Sequence, residues 1–218
     1  MDERFLRDEI CRVGASLFAR RYVHATAGNI SARVGEGFLI TPTDASLGLL
    51  DPARLALVDA KGEQVAGDRA SKTLALHRRI YAADPEARCV IHTHSTHMVA
   101  ASLGGEWQDG ELLPPITPYF VMKVGHVPLI PYRRPGDPAV GDLVAEAIAR
   151  YAARGAPLRA VMLDRLGPNV WHETPSSAMA VLEELEETAQ LWTLSGRRAT
   201  PLGDLEIDEL RRTFGARW

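Results

Sequence analysis

Proline recurs so often between residues 113 and 138 that no long helix can pass through this stretch. Each proline lacks a backbone donor and crowds the preceding turn, which leaves loops and one strand, expected at 127–131. Glycine and proline punctuate the rest of the chain as well, 18 and 14 times in 218 residues, so its regular elements must be short and closely spaced.

Between those breaks two periodicities alternate. Leu6, Ile10, Val13 and Leu17 form the apolar stripe of an amphipathic helix over 3–22. The run Gly37-Phe38-Leu39-Ile40-Thr41 reads as a strand, paired with the Gly- and hydroxyl-rich segment before it. Residues 55–59 and 64–66 flank Lys61-Gly62 as a second hairpin. A helix follows Ser71 through Tyr81, its start suited to a hydroxyl cap. A buried strand is expected at 88–92 and a helix at 95–103. Val140, Val144, Ala147, Ile148 and Tyr151 mark another helix, 159–163 another strand, and 179–194 a helix carrying Glu183, Glu184, Glu186 and Glu187 on a solvated face or against another subunit. Helices mixed with hairpins predict an α/β or α+β sandwich, a helix layer on a largely antiparallel sheet, within one domain covering 1–218.

Composition narrows the function. Twenty-five basic against 28 acidic residues leave a formal charge of -3, with no cluster of Lys and Arg to follow a nucleic acid or an anionic membrane. No run of about 18 apolar residues could span a bilayer, and the N-terminus lacks the basic and apolar regions of a secretory signal. Two cysteines, Cys11 and Cys89, cannot build a disulfide scaffold. A cytoplasmic protein acting on a small molecule is expected.

The strongest chemical signal is His92-Thr93-His94. Residues i and i+2 of an extended segment point the same way, so two imidazoles closing an apolar strand can reach one metal ion. Gly28-Asn29-Ile30-Ser31 and Ala70-Ser71-Lys72-Thr73 each offer freed amides, hydroxyls or a cation to a phosphate, although turn formation and helix capping are the commoner reasons for such segments taken singly. Tyr119, in a loop of Pro and Thr, offers a phenol that can donate a proton to a carbanion.

Taken in order, the opening helix, Thr26-Ala27-Gly28-Asn29-Ile30-Ser31, Thr41-Pro42-Thr43, Ser71-Lys72 before a helix carrying His77, His92-Thr93-His94 and the late Gly167-Pro168 resemble the class II aldolase/adducin family over nearly the whole chain. The runs 113–119 and 131–138 look most like the branch that decarboxylates 3-oxo-tetronate 4-phosphates; sugar-phosphate aldolases and epimerases are more distant. The resemblance implies an α/β/α sandwich assembled as a homotetramer, with a divalent metal, usually zinc, at a subunit interface, and manganese or cobalt as alternatives. It implies His92 and His94 as metal ligands and Asn29, Thr43, Ser71 and Lys72 as contacts to a small phosphorylated sugar acid. Tyr119 and position 73 are the candidate catalytic positions.

Two positions depart from the family pattern. Leu166 stands where a third histidine ligand is expected, and Thr73 where a glutamate serves aldolases as acid/base. A leucine cannot bind zinc, which leaves Asp164 and His97 as candidates to complete the shell. Losing the glutamate hurts decarboxylation less than aldol cleavage, because decarboxylation needs no base to deprotonate a hydroxyl. The alternative from another class is a non-catalytic binding or assembly module like the adducin head, its metal site decayed.

Overall fold

A computed structural model describes residues 2–218. In chain order the strands are β1 (Asn29–Val34), β2 (Gly37–Ile40), β3 (Ala56–Val58), β4 (Gln64–Ala66), β5 (Cys89–His92), β6 (Leu129–Ile130), β7 (Ala160–Leu163) and β8 (Gly167–His172). The helices are α1 (Glu3–Ala19), α2 (Leu74–Ala83), α3 (Thr96–Ser102), α4 (Ala139–Ala152), α5 (Pro175–Leu194) and α6 (Asp204–Phe214). The expected helix over 3–22 stops at Ala19, because Arg21 adopts a φ of 63° that no right-handed helix accepts.

All eight strands join one sheet in the order β4-β3-β2-β1-β5-β8-β7-β6. Pairing is antiparallel except between β6 and β7, so the sheet is mixed rather than purely antiparallel. The reason is the connection: α4 carries the chain from β6 back to the start of β7, the crossover that parallel neighbours need. Side-chain alternation sends Ile30, Ala32, Cys89, Ile91 and Val170 to the layer of α1, α3 and α5. Phe38, Ile40, Val58, Val90, Val161 and Trp171 face α2 and α4. The result is an α/β/α sandwich with an apolar core on each side of the sheet.

Two elements lie outside the sequence expectations. The segment of β8 opens with Gly167-Pro168, which reads as a break, yet it runs through the sheet between β5 and β7. Pro168 is tolerated because it falls at the strand's start. The C-terminal α6 packs on a single π-helical turn, Phe120–Val124, inside the proline-rich stretch.

Gly167 is also where the sheet closes on the histidine segment. Its φ is +147°, and a Cβ there would lie 1.9 Å from the Thr93 carbonyl oxygen, a backbone atom that cannot yield. Gly155 has φ +77° but open space around it. Gly155→Ala is therefore expected to cost about 1 kcal/mol for its backbone angle alone. Gly167→Ala should cost several times more or abolish folding, and equal urea midpoints for the two variants would disprove the close approach.

Under α2, Ser31 Oγ lies 2.7 Å from His77 Nδ1 and 2.8 Å from the Tyr81 hydroxyl, all three residues buried. Burial, aided by the nearby His92 ring, pushes the His77 pKa down to about 3 from 6.5. The unfolded chain therefore binds a proton in this range that the folded chain refuses, and stability falls as pH drops from 6.5 toward 3. One such group changes stability by at most about 1.4 kcal/mol per pH unit. Urea melts at pH 7 and pH 5 should show a smaller acid loss in His77→Gln than in the parent; an unchanged loss would mean that His77 is protonated in the folded state.

Candidate functional site

Residues Asn29, His92 and Asn169 lie side by side on β1, β5 and β8, each pair in direct register. All three are buried and follow the face that looks toward α2. His92 Nδ1 lies 3.0 Å from the Pro168 carbonyl oxygen and donates to it, which leaves Nε2 with its lone pair free. Burial and the neighbouring His94 push the His92 pKa down to about 3, so the ring is neutral. A neutral imidazole oriented by a backbone carbonyl is the form in which histidine binds metals.

His94 lies just beyond the strand, its ring centroid 5.0 Å from that of His92. It is half-buried, and burial together with the charge of His24 lowers its pKa. Two imidazoles thus fit a divalent ion. Among the described residues, no three His, Cys, Asp or Glu side chains are arranged as they stand to hold one.

The candidate phosphate segments converge through their backbones. Ile30 N donates to Thr41 Oγ1 at 3.2 Å and Thr41 N to the Ile30 carbonyl at 3.0 Å, which ties the Asn29 end of β1 to the 41–43 loop. Thr43 N then donates to the Arg69 carbonyl and Ser71 N to the Thr41 carbonyl, with a bridge between Pro42 and Ala70. These bonds bring the 41–43 and 69–71 segments to the end of β1 where Asn29 pairs with His92. Lys72 is exposed, and the Asn29 Oδ1 is buried without a partner.

Ser71 does not cap α2 directly, since the helix begins three residues later. Its hydroxyl lies 2.7 Å from Thr73 Oγ1, and Thr73 is the residue that precedes the first turn. Thr73 thus offers the site a hydroxyl already engaged with a neighbour.

Neither candidate for the third ligand stands in a group of three with the histidine pair among the described residues. Residues 164–166 form the turn between β7 and β8, and Arg165 at φ 62° breaks the alternation that would place Asp164 and Leu166 on one face. Asp164 instead lines an open depression with Ser102, Tyr132 and Arg165. Leu166 packs against the apolar cluster of α2 and α4. His97, in the first turn of α3, bonds Glu186 Oε1 through Nδ1 at 2.9 Å, and no group of three ligands joins it to His92 and His94 among the described residues.

Glu186 in turn is buried rather than solvated, contrary to its expected place on an exposed face. It accepts hydrogen bonds from the backbone amides of His97 and Met98 as well, satisfying free donors at the start of α3. Tyr119 is exposed at the start of the π-helical turn, and no hydrogen bond joins its hydroxyl to the other candidates among the described residues.

Sequence reasoning missed His24, whose ring centroid lies 6.4 Å from that of His94. It also missed Asn169, buried on β8 with neither side-chain polar atom partnered. The first could be sought from its position four residues before Gly28; the second gave no signal, since no strand is expected at 167–172.

Comparison with known proteins agrees with this architecture. The family described as Class II Aldolase and Adducin N-terminal domain matches residues 8–193. The 3-oxo-tetronate 4-phosphate decarboxylase of Cupriavidus necator is 56% identical over 223 residues, covering 99% of each chain. The enzyme of the same name from Escherichia coli K12 is 41% identical over 213 residues, covering 96% of each. Among solved structures, Escherichia coli YgbL superposes with a TM-score of 0.86 at 39% identity, covering 96% of this chain and 99% of that one. An L-fuculose 1-phosphate aldolase shares the fold, with a TM-score of 0.82 at 22% identity over 97% of this chain and 96% of its own. From residues 8 to 193 and across all eight strands, this chain belongs to the class II aldolase and adducin family.

Proposed function

We infer that this protein is a carbon-carbon lyase that decarboxylates a 3-oxo-tetronate 4-phosphate. The observation that carries the reading is the His92–His94 imidazole pair, its buried member oriented by the Pro168 carbonyl, beside segments that converge as a phosphate site would need. Full-length relatives bearing the decarboxylase name support this choice over aldol cleavage.

The reaction breaks the bond between C1 and C2, releases CO2 and leaves an electron pair on C2 beside the C3 ketone. A divalent ion held by His92 and His94 would supply a Lewis acid to draw that charge toward the ketone oxygen. Lys72, Ser71, Thr43 and Asn29 hold the phosphate, fixing which carbons lie beside the histidines. A proton then returns to C2, and dihydroxyacetone phosphate leaves. Tyr119 is the proposed donor. Its exposure suits a phenol presented to the site of a neighbouring subunit in a homotetramer.

Thr73 replaces the aldolase glutamate, and its hydroxyl supplies no base for aldol cleavage. The chain is proposed to fold as one domain, since one sheet and its two layers run from α1 to α5. Among the described residues no helix is long and apolar enough to cross a membrane, and Cys11 and Cys89 are both free; a cytoplasmic setting is proposed.

The placement of Leu166 in an apolar cluster favours a second reading, a binding or assembly module like the adducin head without catalysis. Purified protein supplied with zinc, manganese or cobalt and a 3-oxo-tetronate 4-phosphate should release CO2 and a triose phosphate in equal amounts. No release with any of the three metals would favour the module.

Charge-assisted phosphate contacts contribute about 1.5–3 kcal/mol. Lys72→Ala should therefore weaken a phosphorylated ligand by roughly tenfold to a hundredfold in calorimetric titration, yet barely affect its dephosphorylated analogue. Equal weakening of both would remove Lys72 from the phosphate site.

A further inference from the structure

We propose that His24, His92 and His94 form a three-imidazole site for a divalent metal ion, with His24 supplying the ligand that Leu166 cannot. The proposal rests on reading this end of the sheet as a metal-assisted site, and it names the residue that completes the shell.

Distances carry the first part. In a tetrahedral zinc site with Zn–N bonds of about 2.0–2.1 Å, ring centroids lie roughly 3.2 Å from the ion and about 5 Å from one another. His92 and His94 stand at 5.0 Å with their planes 69° apart, already at that spacing. His24 and His94 stand at 6.4 Å with planes 75° apart, about 1.4 Å too far. The buried His92 ring is fixed by its bond to Pro168, but His24 is exposed and can turn about its side-chain torsions to close that gap.

The backbone carries the second part. The turn bearing His24 is closed by a hydrogen bond from Ala27 N to the His24 carbonyl, and Ala25 holds a left-handed φ of 46° within it. A non-glycine residue in that region is held there by its surroundings. Val23, buried on one side of the turn, and Gly28, on the other, seat it against β5. A Cβ at Gly28 would come within 2.9 Å of the His92 carbonyl oxygen, so the absence of a side chain lets the turn rest directly on the last residue of β5. His24 is therefore delivered beside His94 by a built turn rather than by a free loop.

Donor chemistry selects the ion. Three neutral nitrogens suit zinc or cobalt, whereas calcium and magnesium take oxygen ligands. Three protein ligands also leave a fourth position for a substrate oxygen, the arrangement of catalytic rather than structural zinc sites.

Metal-free protein titrated with Co(II) should develop the visible absorption of a four-coordinate ion at one equivalent per chain, and zinc should remain after dialysis at one per chain. His24→Ala should weaken Co(II) binding at least tenfold with an unchanged circular dichroism spectrum, and His24→Cys should restore binding. His172→Ala, a half-buried ring remote from the pair, should bind as the parent does. Parent-like Co(II) affinity in His24→Ala overturns the proposal, as does a wild-type protein that takes up neither metal. The result is independent of turnover: His24-dependent binding without CO2 release upholds the site and defeats the decarboxylase reading. CO2 release with His24-independent binding does the reverse.

Discussion

One carbonyl oxygen organises the chemical end of this molecule. The Pro168 oxygen, at the start of β8, accepts from His92 Nδ1 at 3.0 Å and from Thr93 N at 3.3 Å. The first bond sets the tautomer and orientation of a ring that has no water to consult; the second holds the chain in register as it leaves the sheet toward His94. Proline has no donor of its own to spend on the ladder, and its fixed φ suits the strand entry, so the residue that interrupts the sequence pattern also steadies the site. Gly167 immediately before it allows the approach, because any side chain there would meet the Thr93 carbonyl.

What the sequence discloses follows from periodicity, and what it conceals follows from context. The α1 stripe of Leu6, Ile10, Val13 and Leu17 is wholly buried, because a continuous apolar face has only one satisfactory environment. The strands of the two hairpins were equally legible from their turn residues and short apolar runs. β8 was not, since Gly167-Pro168 has the same local signature whether it ends a strand or begins one. At the site, the histidine pair and the phosphate segments were legible as motifs, but their convergence depends on bonds between residues far apart in sequence, such as Thr43 with Arg69. Asp164 looked suitable only while 164–166 was taken as extended; the left-handed Arg165 ends that periodicity. Glu186 looked solvated because a carboxylate in a glutamate-rich helix ordinarily is, and nothing local to 183–187 reveals the amides of another helix waiting for it.

The sheet divides labour between its faces. Toward α1, α3 and α5 the central strands present apolar side chains such as Ile30, Ala32, Cys89, Ile91 and Val170, whereas toward α2 the row of Asn29, His92 and Asn169 interrupts the apolar packing. Burying such groups is costly unless they are partnered, and Asn29 Oδ1, His77 Nε2 and both polar atoms of Asn169 lack protein partners. A core assembled for stability alone would not retain four unpaired polar atoms in one region. Their concentration on the face that carries His92 marks the place where this fold gives up cohesion for chemistry.

The carboxylate of Glu186 has a mechanical consequence. By gripping two amides and the imidazole at the head of α3, it fastens the stretch immediately after His94 to the middle of α5. α5 runs for 20 residues, a rod of about 30 Å, and ends in the exposed apolar side chains of Leu191 and Leu194. The segment that follows the histidine pair is thus anchored about 12 Å along the helix from that exposed apolar end, so the two surfaces share one support.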